Sequence, residues 1–184
     1  MKVNNKRAAL GILSLVAVVG TAHSQVYVEG GYLSLASKAT GSAGTTEFSG
    51  TAIAGFVGYQ FHPNFSVEGL IGSGLNSSDV KLNGATQATP VSQKLDYAAG
   101  VQLRAKASVS DSVDLFARVG RVEWRSSATA GAASATYNLT DWMYSVGLNY
   151  KISKSMYLTG SWISLNNKDN IKGDGWSVGL GYLF

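Results

Sequence analysis

The chain has 184 residues, 22 of them Gly, two Pro and none Cys, and is 45% hydrophobic but only 14% charged. That size suits one domain, the charged fraction is far below the roughly 25% of soluble domains, and the missing thiols exclude a disulfide scaffold, thiolate metal sites, cysteine catalysis and lipid attachment through an N-terminal Cys. The formal charge of +4 includes Lys2, Lys6 and Arg7; the other twelve bases face eleven acids, which removes the main support for nucleic acid as a partner.

Residues 1–7 carry those three bases and no acid, residues 8–19 are apolar apart from Gly11 and Ser14, and Ala22 and Ser24 supply small residues behind them. This order predicts a signal peptide over 1–24, cleaved between Ser24 and Gln25. The apolar run, rising 1.5 Å per residue, is too short to cross about 30 Å of hydrocarbon. No later segment reaches 18 consecutive apolar residues, so insertion as a helix is excluded.

From Gln25 the hydrophobic period is two. Strands are predicted at about 26–37, 50–61, 65–76, 95–107, 113–125, 142–152, 156–166 and 176–184. In 95–107 the alternation is strict, with Leu95, Tyr97, Ala99, Val101 and Leu103 against Asp96, Ala98, Gly100, Gln102 and Arg104. Trp142, Tyr144, Val146, Leu148, Tyr150 and Ile152 repeat it, as do Trp176, Val178, Leu180, Tyr182 and Phe184. Short connections at 62–64, 108–112 and 153–155 alternate with long ones at 38–49, 77–94, 126–138 and 167–174, which predicts a meander with tight turns at one end and loops at the other.

One strand face carries Gly, Ala, Ser and sparse charges; the other carries large apolar and aromatic side chains, with Trp142, Tyr144, Tyr150, Trp162, Trp176, Tyr182 and Phe184 mostly near strand ends. A soluble barrel would turn the aromatics inward. Two aromatic girdles around an aliphatic band instead predict an all-β, eight-stranded antiparallel up-and-down transmembrane barrel over 25–184. Small residues on the inner face suit its narrow lumen.

The chain resembles the small outer-membrane barrels of the OmpA and OmpX type. The residues that carry the resemblance are Val26-Tyr27-Val28-Glu29-Gly30-Gly31-Tyr32, Gly55-Phe56-Val57-Gly58-Tyr59-Gln60-Phe61, Ser66-Val67-Glu68-Gly69 and the final Gly179-Leu180-Gly181-Tyr182-Leu183-Phe184. It covers the whole of 25–184, without the periplasmic peptidoglycan-binding domain that follows the barrel in OmpA-type proteins. It implies a bacterial outer-membrane location, outer-membrane lipids including lipopolysaccharide as surroundings, and the barrel assembly machinery as a partner during biogenesis. Leu180, Tyr182 and Phe184 are similar to the signal that this machinery reads. A monomer is expected.

Catalytic and cofactor chemistry is not expected. His62 is the single histidine after residue 24 and stands beside Pro63 in a tight turn, where it reads as a solvated loop residue. Lys168-Asp169-Asn170 is too basic and too short for a calcium loop, and Gly179-Leu180-Gly181 has no helix after it to make a phosphate loop. Arg121 and Arg125 point outward by parity, unless a bulge near Gly120 switches faces. Outward, they suit lipopolysaccharide phosphates or a solvated rim.

Four charges define the candidate site. Glu29, Glu68, Arg104 and Arg118 lie a few residues above the short-turn end of their strands, on the face opposite the large apolar side chains. They are expected to point inward at similar height and to neutralise one another, filling the lumen rather than lining a channel; the alternative is separate water pockets. Three functions compete: a structural or surface-interaction barrel presenting four loops, a narrow porin-like channel for small solutes, and a lipid-modifying enzyme.

Overall fold

The computed structural model describes residues 25–41, 44–86, 90–166 and 171–184; the predicted signal peptide lies outside the described residues, as does the 168–170 segment. Eight long strands are present: β1 (Gln25–Gly41), β2 (Gly44–His62), β3 (Phe65–Gly74), β4 (Val91–Ser108), β5 (Val113–Ala130), β6 (Ala133–Lys151), β7 (Met156–Asn166) and β8 (Ile171–Leu183). Each pairs antiparallel with its neighbour in sequence, and β1 pairs with β8 from Tyr27↔Leu183 to Ala39↔Ile171. The sheet is therefore a closed ring. Closure is what lets a sheet live in lipid, because it leaves no unpaired edge within the hydrocarbon.

The strands run further than their side chains predict. β1 and β2 stay paired out to Gly41↔Gly44, and β5 and β6 out to Ala130↔Ala133, so most of the predicted loops at 38–49 and 126–138 are hairpin. Runs of Ala, Gly, Ser and Thr look like loops in a sequence, yet backbone pairing needs only a register and a turn. Gly131 supplies the turn with φ of +57°. The long connection at 77–94 folds back on the rim in short pieces: Ser77–Asp79 pairs with β4, and Lys81–Leu82 with Thr46 and Glu47 of β2. β8 likewise starts at Ile171, five residues before the predicted 176.

A bulge corrects the expected alternation in 95–107. Leu95 faces Ser126 while Tyr97 faces Arg125, so Asp96 is an extra residue in β4. Above it the parity reverses, and Leu95 packs inside against the lumen core. No register shift occurs near Gly120, and Arg121 and Arg125 are exposed on the outer face.

A second shift lies at the lower end of β2, where Gln60 faces Ser66 but His62 faces Phe65, leaving Phe61 as the extra residue; between these two bulges and along the other strands parity holds. Ile53, Val57, Ile71, Val101, Val119, Val146, Leu158 and Val178 are exposed on the outer wall, with Val101 at 62%. In water such a surface would aggregate; facing acyl chains it is the stable arrangement. Tyr32 and Trp176 lie 5.8 Å apart in the upper girdle, near Trp162, Tyr144 and Trp142. Tyr182 and Phe184 meet edge to face at 5.0 Å in the lower one.

Candidate functional site

Inward parity puts Glu29 of β1, Glu68 of β3, Arg104 of β4 and Arg118 of β5 in one layer near the short-turn end of the lumen. All four are buried, and Glu68 has no exposed surface. Arg104 Nη1 donates to Glu29 Oε1 at 2.6 Å and to Glu68 Oε1 at 3.2 Å. Arg118 Nε donates to Glu68 Oε2 at 2.8 Å, while its Nη2 reaches Glu68 Oε1 at 3.1 Å and also Glu29 Oε2. Each arginine thus holds both glutamates. This matters because Arg104 and Arg118 are direct cross-strand partners. Two like charges placed opposite each other repel unless counter-charges bridge them.

Neutral groups complete the layer. Tyr27 donates to Glu68 Oε1 at 2.6 Å, Tyr157 to Glu29 Oε1 at 2.8 Å, and Gln102 Nε2 to Glu68 Oε2 at 2.7 Å. Oriented to satisfy both neighbours, the Asn149 amide accepts from Arg104 Nη2 at 2.6 Å and donates to Thr159 at 3.1 Å. The guanidinium carbons of Arg104 and Arg118 each lie 4.3 Å from the Phe116 ring centroid, and that of Arg118 lies 4.8 Å from Phe56. Two glycines make room for the tyrosines. A Cβ on Gly58, which faces Tyr27 across the strands, would fall 2.1 Å from that ring, and one on Gly181 would fall 2.1 Å from Tyr157.

Above this layer the lumen changes character. Leu33, Ala52, Ala54, Phe56, Leu70, Val122, Met143 and Ile163 form a buried apolar cluster, extended toward the rim by Leu35, Leu95, Trp124 and Leu165. The inner face is thus not mainly small and polar, as the sequence suggests. The signal is present in the parity itself: Leu33 and Leu35 share the face of Glu29, Leu70 that of Glu68, and Val122 and Trp124 that of Arg118. The tyrosine and glutamine partners have the same signature but no charge to draw attention.

The remaining candidates are ordinary. His62 Nδ1 accepts from the Asn64 amide at 3.2 Å, and its ring lies 5.5 Å from Phe65, which fixes the turn. Among the described residues no group of three or more His, Asp or Glu could hold a metal. Arg121 lies over Trp142 at 5.6 Å on the outer wall, and Tyr97 donates to Glu123 at 3.0 Å beside it. Leu180, Tyr182 and Phe184 are exposed on the outer face of the last strand, Phe184 by 72%.

The fold is that of known outer-membrane proteins. Ail, the attachment invasion locus protein of Yersinia pestis, solved with the heparin analogue sucrose octasulfate, superposes with a TM-score of 0.61 at 15% identity, over 88% of this chain and 99% of that one. Neisserial surface protein A gives 0.61 at 14% identity, over 85% and 96% of the two chains. OprG of Pseudomonas aeruginosa gives 0.61 at 13%, over 88% and 96%. No curated protein matches the chain in sequence. The family model described as the outer membrane protein beta-barrel domain matches residues 7–184, and with an unbroken ring of strands, an apolar outer wall and paired charges inside, the chain belongs to that family and is an integral β-barrel of the bacterial outer membrane.

Proposed function

We propose that the protein is a closed barrel that acts at its outer rim, offering a projecting β-hairpin to surface partners. The observation that carries this reading is the continuation of β5 and β6 beyond Arg121↔Trp142 in the upper girdle as far as Ala130↔Ala133. β7 joins β6 only at Trp142 and below, so among the described residues the upper part of β6 has a neighbour on one side alone. An unpaired strand edge is a ready template for another extended chain. Arg121 and Arg125, outward beside this hairpin, suit lipopolysaccharide phosphates. We read the barrel as a monomer.

The competing channel reading is disfavoured by two filled layers in series, one ionic and one apolar. A lipid-modifying enzyme is disfavoured by the engagement of His62 in its own turn at the opposite end from the rim. The absence of native cysteine makes the test direct. A membrane-impermeant maleimide should label Ala133→Cys on intact cells and Ser110→Cys only after the envelope is opened. The unmodified protein in a planar bilayer should show no steady conductance. Steady ion flow would favour the channel, and labelling of Ser110→Cys on intact cells would invert the topology.

The exposed Leu180, Tyr182 and Phe184 support reading the last strand as the assembly signal. Deleting Tyr182, Leu183 and Phe184 would also remove the Leu183–Tyr27 pairing at the seam and the Phe184 amide bond to the Val26 carbonyl at 3.0 Å. The truncation should accumulate little folded protein in the outer membrane, as read by heat-modifiable gel mobility.

A further inference from the structure

Below the ionic layer, at the short-turn end, the lumen opens into a cavity of about 210 Å³. With a water's share of the liquid at about 30 Å³, that is room for a small polyatomic ion and several waters. Its wall includes Arg104, Lys106, Asp114, Lys151 and Lys154. Asp111, in the neighbouring turn, is not part of that wall.

The charges do not balance there. Arg104 belongs to the layer of two acids and two bases above and adds no excess, so three lysines face one carboxylate. Asp114 is already engaged, by Lys151 Nζ at 2.9 Å and by Ser108 at 2.6 Å. Among the described residues the hydrogen-bond partner of Lys106 Nζ is the neutral Gln60 Oε1, at 3.3 Å, while the Asp114 carboxylate attracts it from further off. Lys154 forms no ion pair among the described residues. Arg104 forms the roof, its guanidinium shared among Glu29, Glu68 and the Asn149 amide. Hydroxyls enrich the wall further: Ser153 Oγ accepts from the amides of Ser155 and Met156, leaving its own proton to donate. Donors in excess of acceptors, converging from a low-dielectric wall, focus a positive potential on the mouth.

We propose that this vestibule is a binding site for a phosphate group, held between Lys106 and Lys154 beneath the Arg104 roof. A tetrahedral oxyanion supplies several acceptors to donors on different sides, which one planar carboxylate does less well. The group belongs either to a soluble periplasmic phosphate or to a phospholipid headgroup of the inner leaflet, and the chemistry is shared. The inference is independent of the hairpin reading, since it concerns the opposite end of the barrel.

The test uses the folded protein from outer membranes in a maltoside detergent, which carries no phosphate. Inorganic phosphate is titrated calorimetrically at constant ionic strength set with chloride. Saturable binding, weakened roughly tenfold in Lys106→Gln by loss of one charge-assisted hydrogen bond and a few-fold in Lys154→Gln, supports a soluble ligand. Lys154 is exposed in a turn, so its variant keeps the fold even if Lys106→Gln does not; gel mobility checks both. Absence of phosphate heat, with amine acylation of Lys106 and Lys154 slowed in phosphatidylglycerol nanodiscs relative to micelles, supports the headgroup. The proposal is overturned by neither effect, or by binding that both variants leave unchanged.

Discussion

The lower and upper halves of the lumen fill one barrel in opposite ways. Near the short turns, Glu29, Glu68, Arg104 and Arg118 close it with directional bonds; above them, Leu33, Phe56, Leu70, Val122, Met143 and Ile163 close it by packing. The difference shows what each kind of filling tolerates. A charged layer is stable only as a complete set, because each member neutralises two others and a lost member strands its partners in a confined space. An apolar layer degrades gradually, one contact at a time.

The largest break should come from Glu68→Ala, which removes acceptors for Arg104, Arg118, Tyr27 and Gln102 together. Leaving buried charges unpaired costs about 3–5 kcal/mol, so the urea midpoint of the folded barrel should fall sharply. A midpoint within error of the unmutated protein would mean that water satisfies the arginines. In the apolar layer, Leu70→Ala should cost about 2 kcal/mol, at the lower end for a buried leucine because the lumen has a rim through which water can enter. The same variant should stay silent in a planar bilayer, since the ionic layer still closes the lumen; an open channel would show that the apolar layer is the true seal.

The smallest effect is expected outside the membrane. Lys38 and Glu47 pair at 2.7 Å on the β1–β2 hairpin, both solvent-accessible. The Lys38 hydrogen bond, reinforced by its charge, holds the Glu47 carboxyl below its usual value. Any stability it lends is present above the ordinary carboxylate range and is lost as pH falls through the lowered value. Water screens this pair almost fully, so Glu47→Gln should leave the unfolding midpoint and its pH profile unchanged.

Much of this was legible in the residues because a β-barrel writes itself in period two. The eight strands and the common face and height of Glu29, Glu68, Arg104 and Arg118 follow from parity and turn positions alone. Parity alone does not tell what fills the lumen. Leu33, Leu70 and Val122 sit on the charged face, but apolar residues inside a membrane barrel run against the expectation of a small, polar lumen. Asp96 could not be seen as a bulge, since 95–107 alternates without fault and the extra residue is fixed by Ser126 and Arg125 on the opposing strand. The hairpin of β5 and β6 was hidden because Ala, Ser and Thr mark loops by composition, whereas pairing there is set by the backbone and one left-handed glycine.

The seam between β1 and β8 bears on how quickly the molecule can form. Its partners, Tyr27–Ala39 and Ile171–Leu183, lie at opposite ends of the sheet-forming chain. For a free chain, closing a loop of roughly 150 residues would cost about 4 kcal/mol in entropy, a cost that the hairpins between the two ends lower as they form. All other strand pairs are hairpin neighbours and can form locally, so the last contact in sequence is also the one most delayed in time. Until then the two longest-lived intermediate edges are β1 and whichever strand is currently last, and both invite pairing with other chains. The seam is therefore the pairing of greatest sequence separation and the step expected last. Its rate should respond to tethering β1 near β8 far more than to strengthening any hairpin between them.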